Sequence, residues 1–271
     1  MEGKDLADWH AFENELEELR GRYKESPTKL LFRGQSNSDW KLTTTLERHG
    51  VEGMTFFDYC TRAGNVRPAV ETFTGVQWSD PEFSECISSS WRFEPELMWF
   101  NRFPSFQLYR YLVYLRHNGF PSPLLDWTRS PFVAAFFAFR DPVTKSCERR
   151  SIYVYCEMPK GHKGGALGQP VIRAFGPYVR SHPRHFRQQS DYTICGELDP
   201  NRGWVFRQHE PNFGGRGEQD FLWKFNLPSS ECIPVLRSLD EHNLNAFSLF
   251  DSEEALLETM WFREHILRTR Q

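Results

Sequence analysis

Residues 117–139 read "HNGFPSPLLDWTRSPFVAAFFAF", and the reading of this stretch decides the fold. A short strand through Asp126, Trp127 and Thr128 hands over to a helix. Ser130 has the chemistry of an N-cap, and Pro131 suits the first helical position. The helix that follows is apolar on every side, which predicts full burial with Phe132, Val133, Phe136 and Phe137 in the core. Two readings of the junction stand side by side. In one, Asp126 and Ser130 are caps and Trp127 is core. In the other, the polar residues form a ligand site at a helix N-terminus, where unpaired N–H groups and a partial positive charge favour phosphate.

Upstream, "PSFQLYRYLVYLRHNG" is a helix with Pro104 near its start and Gly119 as a left-handed C-cap, so His117 lies on its last turn. A cationic imidazole there is favoured by the helix dipole. Further upstream, residues 30–46 read "LLFRGQSNSDWKLTTTL". The apolar run predicts a short buried strand ended by Gly34, which leaves Arg33 at the strand end. A planar guanidinium there can grip two phosphate oxygens. Gly34 would admit a close backbone approach, and Gln35 and Ser36 would add hydrogen bonds from the loop. The competing reading pairs Arg33 with a core carboxylate, Asp126 being available.

Outward from these stretches the periods alternate. "DLADWHAFENELEELRGRY" is an amphipathic helix with Asp5 as N-cap, stopped by Ser26-Pro27. "GMTFFDYCTR" reads as helical, whereas the rest of about 50–103 has no clean period and reads as an insertion. "SIYVYCEM", "DYTIC", "DFLWKFNLP" and "CIPV" are strand candidates, and residues 159–183 read as an exposed loop or lid. "DSEEALLETMWFREHIL" closes the chain as a helix with Asp251 at the N-cap and Glu254 at N3. The organisation is one α+β domain: an N-terminal helix over 1–28, the body over 29–262 and a tail over 263–271.

The totals exclude several classes. Aromatics are 15% of 271 residues, which favours a packed body over disorder. The net charge of -3 supplies no global basic field for nucleic acid. Six scattered cysteines without a C-x-x-C fit neither a zinc ribbon nor a disulfide scaffold. His182 and His185 straddle Pro183 and lack a third ligand, so no metal is expected. No G-x-S-x-G elbow is present for a serine hydrolase. The N-terminus lacks a signal-peptide core, and the longest apolar run, Phe132 to Phe139, is far short of the roughly 20 residues of a bilayer span. The expectation is a reduced cytoplasmic protein with no membrane partner.

Four segments resemble the FRG-domain family, named for the tripeptide that here is Phe32-Arg33-Gly34. They are "FRGQSNSDWKLTTTL", "HNGFPSPLLDWTRSPFVAAFFAF", "RHFRQQSDYTI" and "SLFDSEEALLETMW". The sequence departs from the family pattern where Thr-Arg is replaced by Ser122-Pro123 and a glycine by Ser190. The resemblance implies an order of elements similar to that of ADP-ribosyltransferases. The expected fold is a single such domain, with a split mixed/antiparallel sheet flanked by helices and an insertion. It also implies a toxin or phage-defence effector that uses NAD as substrate without a metal, with RNA or a protein as acceptor and an antitoxin as partner. Arg33 would anchor the diphosphate, Trp127 would stack on nicotinamide or adenine, and Thr128 would orient a ribose hydroxyl. Gln188, which matches the family's glutamine, or Glu218 would steady the reacting ribose; His117 would line the cleft. An NAD glycohydrolase and a non-catalytic binding module stand as alternatives. "RSHPRHFRQQ" could track single-stranded RNA or form a solvated basic face.

Overall fold

The computed structural model describes residues 2–78, 106–141, 147–161, 163, 168–176, 183–213 and 219–268. Among these residues eight strands form one mixed sheet. They are β1 (Glu2–Asp5), β2 (Leu31–Gln35), β3 (Leu125–Thr128), β4 (Arg149–Glu157), β5 (Val171–Ala174), β6 (Ser190–Asp199), β7 (Gly203–Phe206) and β8 (Asp220–Pro228). The order is β1-β8-β4-β2-β3-β6-β5, and β7 pairs with the Gly196–Asp199 end of β6. β1 runs parallel to β8 and the other pairs are antiparallel. The fold is therefore α+β, as expected.

Pairing is uneven across the sheet. β2 holds β4 through five register pairs, from Leu31↔Tyr155 to Gln35↔Ser151. On its other side it meets β3 at a single pair, Phe32↔Thr128. The two halves of the sheet bend about that join, so that their inner faces meet. Side-chain alternation along each strand makes this visible. In β4, Ile152, Val154 and Cys156 face an outer core, while Tyr153 and Tyr155 face an inner one. The inner core also takes Leu31 from β2, Leu125 and Trp127 from β3, Ile172 from β5 and Leu222 from β8. Trp127 and Tyr155 lie 5.5 Å apart although β2 separates their strands.

Helices cover the outer faces. On one side lie α1 (Trp9–Arg22), α5 (Pro131–Phe139) and α7 (Cys232–Glu241). On the other lie α3 (Phe56–Thr74) and α4 (Phe106–His117). In α1 the buried residues Phe12, Leu16 and Leu19 recur at helical spacing. Its N-cap is Asp8, which accepts from the Ala11 amide at 2.8 Å. Asp5, expected in that role, belongs to β1 and accepts from Asn226 Nδ2. "CIPV" is not a strand: Cys232, Val235, Leu236 and Leu239 form the buried stripe of α7. After α8 (Ala246–Phe250), Asp251 takes a left-handed C-cap conformation, and Ser252 caps α9 (Glu253–Trp261). This moves the cap one residue past the expected Asp251.

Helix α5 is buried along most of its surface, with Val133, Ala134, Ala135, Phe136, Ala138 and Phe139 in the core. Phe132 is a correction: it is 41% exposed on the first turn, with its ring 6.4 Å from that of Trp9. The expected loop over 159–183 contains β5, whose Val171 and Ile172 are buried, and Lys163, whose side chain is 3% exposed. Pro104, Arg180, His182 and most of the second half of the expected insertion lie outside the described residues. No helix among the described residues is long and apolar enough to cross a membrane.

Candidate functional site

Where β2 and β3 part, a cleft of about 810 Å³ opens. Arg33 is not at a strand end, because β2 runs on to Gln35. It stands on the inner face, and its Nη1 donates to the Asp126 carbonyl at 2.6 Å. The guanidinium thus spans the gap that the β2–β3 ladder leaves after Phe32↔Thr128. The Arg33–Asp126 ion pair of the competing reading is not formed. The Asp126 carboxylate instead accepts from Arg116 Nη2 through Oδ2, and its Oδ1 has no protein partner. The Nε atoms of Arg33 and Arg116 and the Oε1 of Gln35 are likewise buried without a partner in the protein. Burial lowers the pKa of Arg33 to about 10, against the raising effect of the Asp126 charge; Arg116 and Arg48 lower it further.

The cleft collects charge of one sign. Arg33, Lys41, Arg48, Arg116 and Arg184 line it, against the carboxylates of Asp39 and Asp126. An anion entering here would meet guanidinium N–H groups already held in place and screened from water, where charge-assisted hydrogen bonds are strongest. Trp40, Phe137 and Phe250 supply apolar walls. Trp40 is 45% exposed and sits in a loop fixed from below: Tyr153 donates to the Trp40 carbonyl at 3.2 Å and Lys224 to that of Ser38 at 2.5 Å. Arg184 lies over the Phe250 ring at 5.6 Å.

Of the residues expected in the site, Arg33, Gly34, Gln35, Ser36, His117, Asp126, Trp127, Thr128 and Gln188 all line this cleft. Several of the expected roles are not the ones the structure gives. Gly34 is required by packing: a Cβ there would lie 1.9 Å from the Ala134 carbonyl oxygen of α5. Trp127 offers no stacking face, because it is 3% exposed, bonded to Thr193 Oγ1 at 2.8 Å and packed on Tyr155 and Phe213. The Thr128 hydroxyl donates to the Gln188 carbonyl at 2.7 Å and accepts from the Ser130 amide. The Gln188 amide donates to the Leu249 carbonyl at 3.3 Å. Ser130 caps α5 through the Val133 amide and does not line the cleft, and Asp126 is a strand residue rather than a cap. Glu218 lies outside the described residues.

Position 123 is not a cleft position. Pro123 lines a separate cavity with Leu46 and Phe206, and Ser122 is fully buried against Thr45. Arg116, Arg48 and Lys41 were missed by sequence reading although Lys41 and Arg116 lie within the quoted stretches and Arg48 just beyond one. Their signal is topological, since only the parting of two strands brings residues 41, 48, 116 and 184 to one opening. Among the described residues no group of three metal-ligating side chains occurs.

The architecture is thus a mixed α+β domain with a cationic, aromatic-walled cleft at a break in its sheet. Residues 28–147 match the family model of the FRG domain. The match spans Phe32-Arg33-Gly34 and the junction from β3 to α5, the two elements that build the cleft. No curated protein and no solved structure matches the chain.

Proposed function

We propose that the cleft binds NAD and that the protein is an ADP-ribosyltransferase acting on RNA or on a protein. The observation that carries this reading is the charge of the cleft: five cations face two carboxylates, and two guanidinium Nε atoms are buried and unpaired. Arg33 and Arg116 would hold the diphosphate. Trp40, rather than Trp127, would supply the exposed aromatic face for a base. Departure of nicotinamide leaves positive charge on the ribose, and Asp126 Oδ1 is a buried carboxylate oxygen in the cleft without a partner among the described residues. Asp126 takes the charge-stabilising role in this reading because the Gln188 amide is already engaged. The single β2–β3 pair supports a split sheet of the ADP-ribosyltransferase kind.

Incubation with labelled NAD and a whole-cell extract, followed by nuclease or protease, tests the reading. Nuclease-sensitive label identifies RNA or DNA as acceptor, and protease-sensitive label a protein. Free nicotinamide without transferred label identifies a glycohydrolase, and unchanged NAD a binding module. As a toxin or phage-defence effector the chain would arrest growth on induction unless an antitoxin were present, and Arg33→Ala would abolish the arrest.

A further inference from the structure

Helices α8 and α9 turn an apolar face to water. Among the described residues ten large apolar side chains are exposed, and half of them, Phe247, Leu256, Leu257, Met260 and Trp261, fall on these two neighbouring helices. Leu257 and Trp261 are 62% and 60% exposed. Leu256 and Met260, like Leu257 and Trp261, are four residues apart, so they make two adjacent rows of one ridge. Crowding of this kind marks a contact surface, whereas single exposed apolar residues need no explanation. The ridge is held in place from three sides. The Phe247 amide donates to Thr259 Oγ1 at 3.0 Å and joins α8 to α9. Arg140 donates to both carboxylate oxygens of Glu258, at 2.6 and 2.5 Å. Arg187 of the short helix α6 (Pro183–Arg187) pairs with Asp251 at 2.7 Å.

Beside the ridge runs a groove of about 820 Å³, walled by Leu236, Leu244, Phe262 and Ile266 with the half-exposed Trp261 at its rim. Its polar members Arg140, Asp240, Asn245, Glu258 and Thr259 are already bonded within the protein, so what it offers an occupant is apolar contact. We propose that this face joins two copies of the chain about a two-fold axis, α9 against α9 in the antiparallel sense. Ridge and groove lie side by side on one surface, as a self-complementary contact requires, so the ridge of each copy can enter the groove of the other. Charge fits the same direction. α9 opens with Glu253 and Glu254, while Arg263, His265 and Arg268 follow its C-terminal end against the single carboxylate of Glu264. Antiparallel packing sets the acidic start of each helix beside the basic end of the other and opposes the two helix dipoles. A stable dimer takes about 800 Å² from each partner. Five large side chains, each at least 39% exposed, together with the groove wall and the charged ends supply a patch on that order. The contact is independent of what the cleft binds.

Sedimentation velocity of the full chain at about 1 to 100 μM reads the assembly directly. The wild type should sediment as a dimer in the upper part of that range. Leu257→Glu places a charge in the middle of the ridge and should weaken the dimer by about 100-fold or more. Phe73→Ser removes a 92% exposed apolar side chain on α3, away from the ridge, and should leave the dimer unchanged. Reversing Glu253 and Glu254 together to Lys should weaken it by about tenfold, and adding Arg268→Glu should recover part of the loss. A wild type that is monomeric at about 100 μM overturns the proposal. If that monomer floats with phosphatidylcholine vesicles, the face belongs to a membrane instead. A Leu257→Glu chain that dimerises like the wild type also overturns it, and charge reversal without recovery overturns the antiparallel arrangement.

Discussion

Lys163 and Arg33 are two buried cations placed between the halves of the same sheet, and they are treated in opposite ways. Lys163 Nζ donates to Asp220 Oδ1 at 2.6 Å, to Glu157 Oε1 at 3.2 Å, to Tyr155 Oη at 3.5 Å and to the Ile172 carbonyl. Those partners come from β8, β4 and β5, so the ammonium fastens the far edge of one half to the ends of the other. Arg33 has one carbonyl and a buried Nε with nothing to donate to. An ammonium with two carboxylates is complete, and any further ligand would have to displace a partner. A guanidinium left short of acceptors in a cleft where cations outnumber carboxylates is, in the reading proposed above, the group that takes the anion. Burial alone therefore does not separate a structural cation from a binding one; the inventory of acceptors does.

The contrast can be broken most severely at Lys163. Lys163→Met leaves two carboxylates buried without their cation and should cost about 3–5 kcal/mol, read as a lower midpoint in urea. Glu157 already has a raised pKa, first because it is buried, despite the opposing charge of Lys163. A raised carboxylate favours the fold below its unfolded pKa and loses that advantage as pH rises through the folded value. The deficit of Lys163→Met should accordingly shrink as the pH is lowered toward the carboxylate range.

His209 gives a second, smaller effect of opposite sign. It is 1% exposed, and burial, together with the Arg33 charge, lowers its pKa from 6.5 to about 3. Its contribution is complete above the unfolded value and is lost as pH falls toward the folded one. The wild type should lose about 2–3 kcal/mol through this group by about pH 4.5, and His209→Gln should flatten that limb of the stability curve.

Arg33→Ala should barely change stability, by about 1 kcal/mol for one carbonyl hydrogen bond, yet weaken NAD binding about 10- to 150-fold by calorimetry. Equal damage to Arg33→Ala and Lys163→Met in the melting temperature, with NAD affinity untouched, would erase the distinction between the two cations. The finest test is Arg33→Lys, which keeps the charge but loses the planar fork. It should recover part of the lost affinity and leave the unfolding free energy in urea within about 0.5 kcal/mol of Arg33→Ala.

The elements with strong local periods were legible in advance: α1, α4, α5, β4, β6 and β8 all lie where the sequence reading places them. β1 was invisible because four residues pair with β8 more than 200 positions away. "CIPV" misled because Val and Ile favour strands, while the stripe that makes α7 a helix emerges only when Leu236 and Leu239 are counted with them. At the site, the residue list was largely right and the roles were not. Polar types at a strand-to-helix junction announce an opening, but whether a hydroxyl or amide is free depends on partners such as Leu249 and Thr193, which are remote in sequence. Lys163 carried no signal at all, since its partners come from three separate strands.

The missing side chain at Gly34 makes the cleft adjustable from behind. Because α5 touches the β2 backbone itself, through Ala134 and Ala138, the helix sets the height of the strand as a shim sets the height of a plate. Arg33, the next residue, projects from the opposite face of that strand. A methyl group added at Gly34 itself would meet the α5 backbone and push strand and helix apart, and the guanidinium would move with the strand. In the reading proposed above, ligand selectivity would thus drift through substitutions that shift α5 against β2 and never touch a ligand.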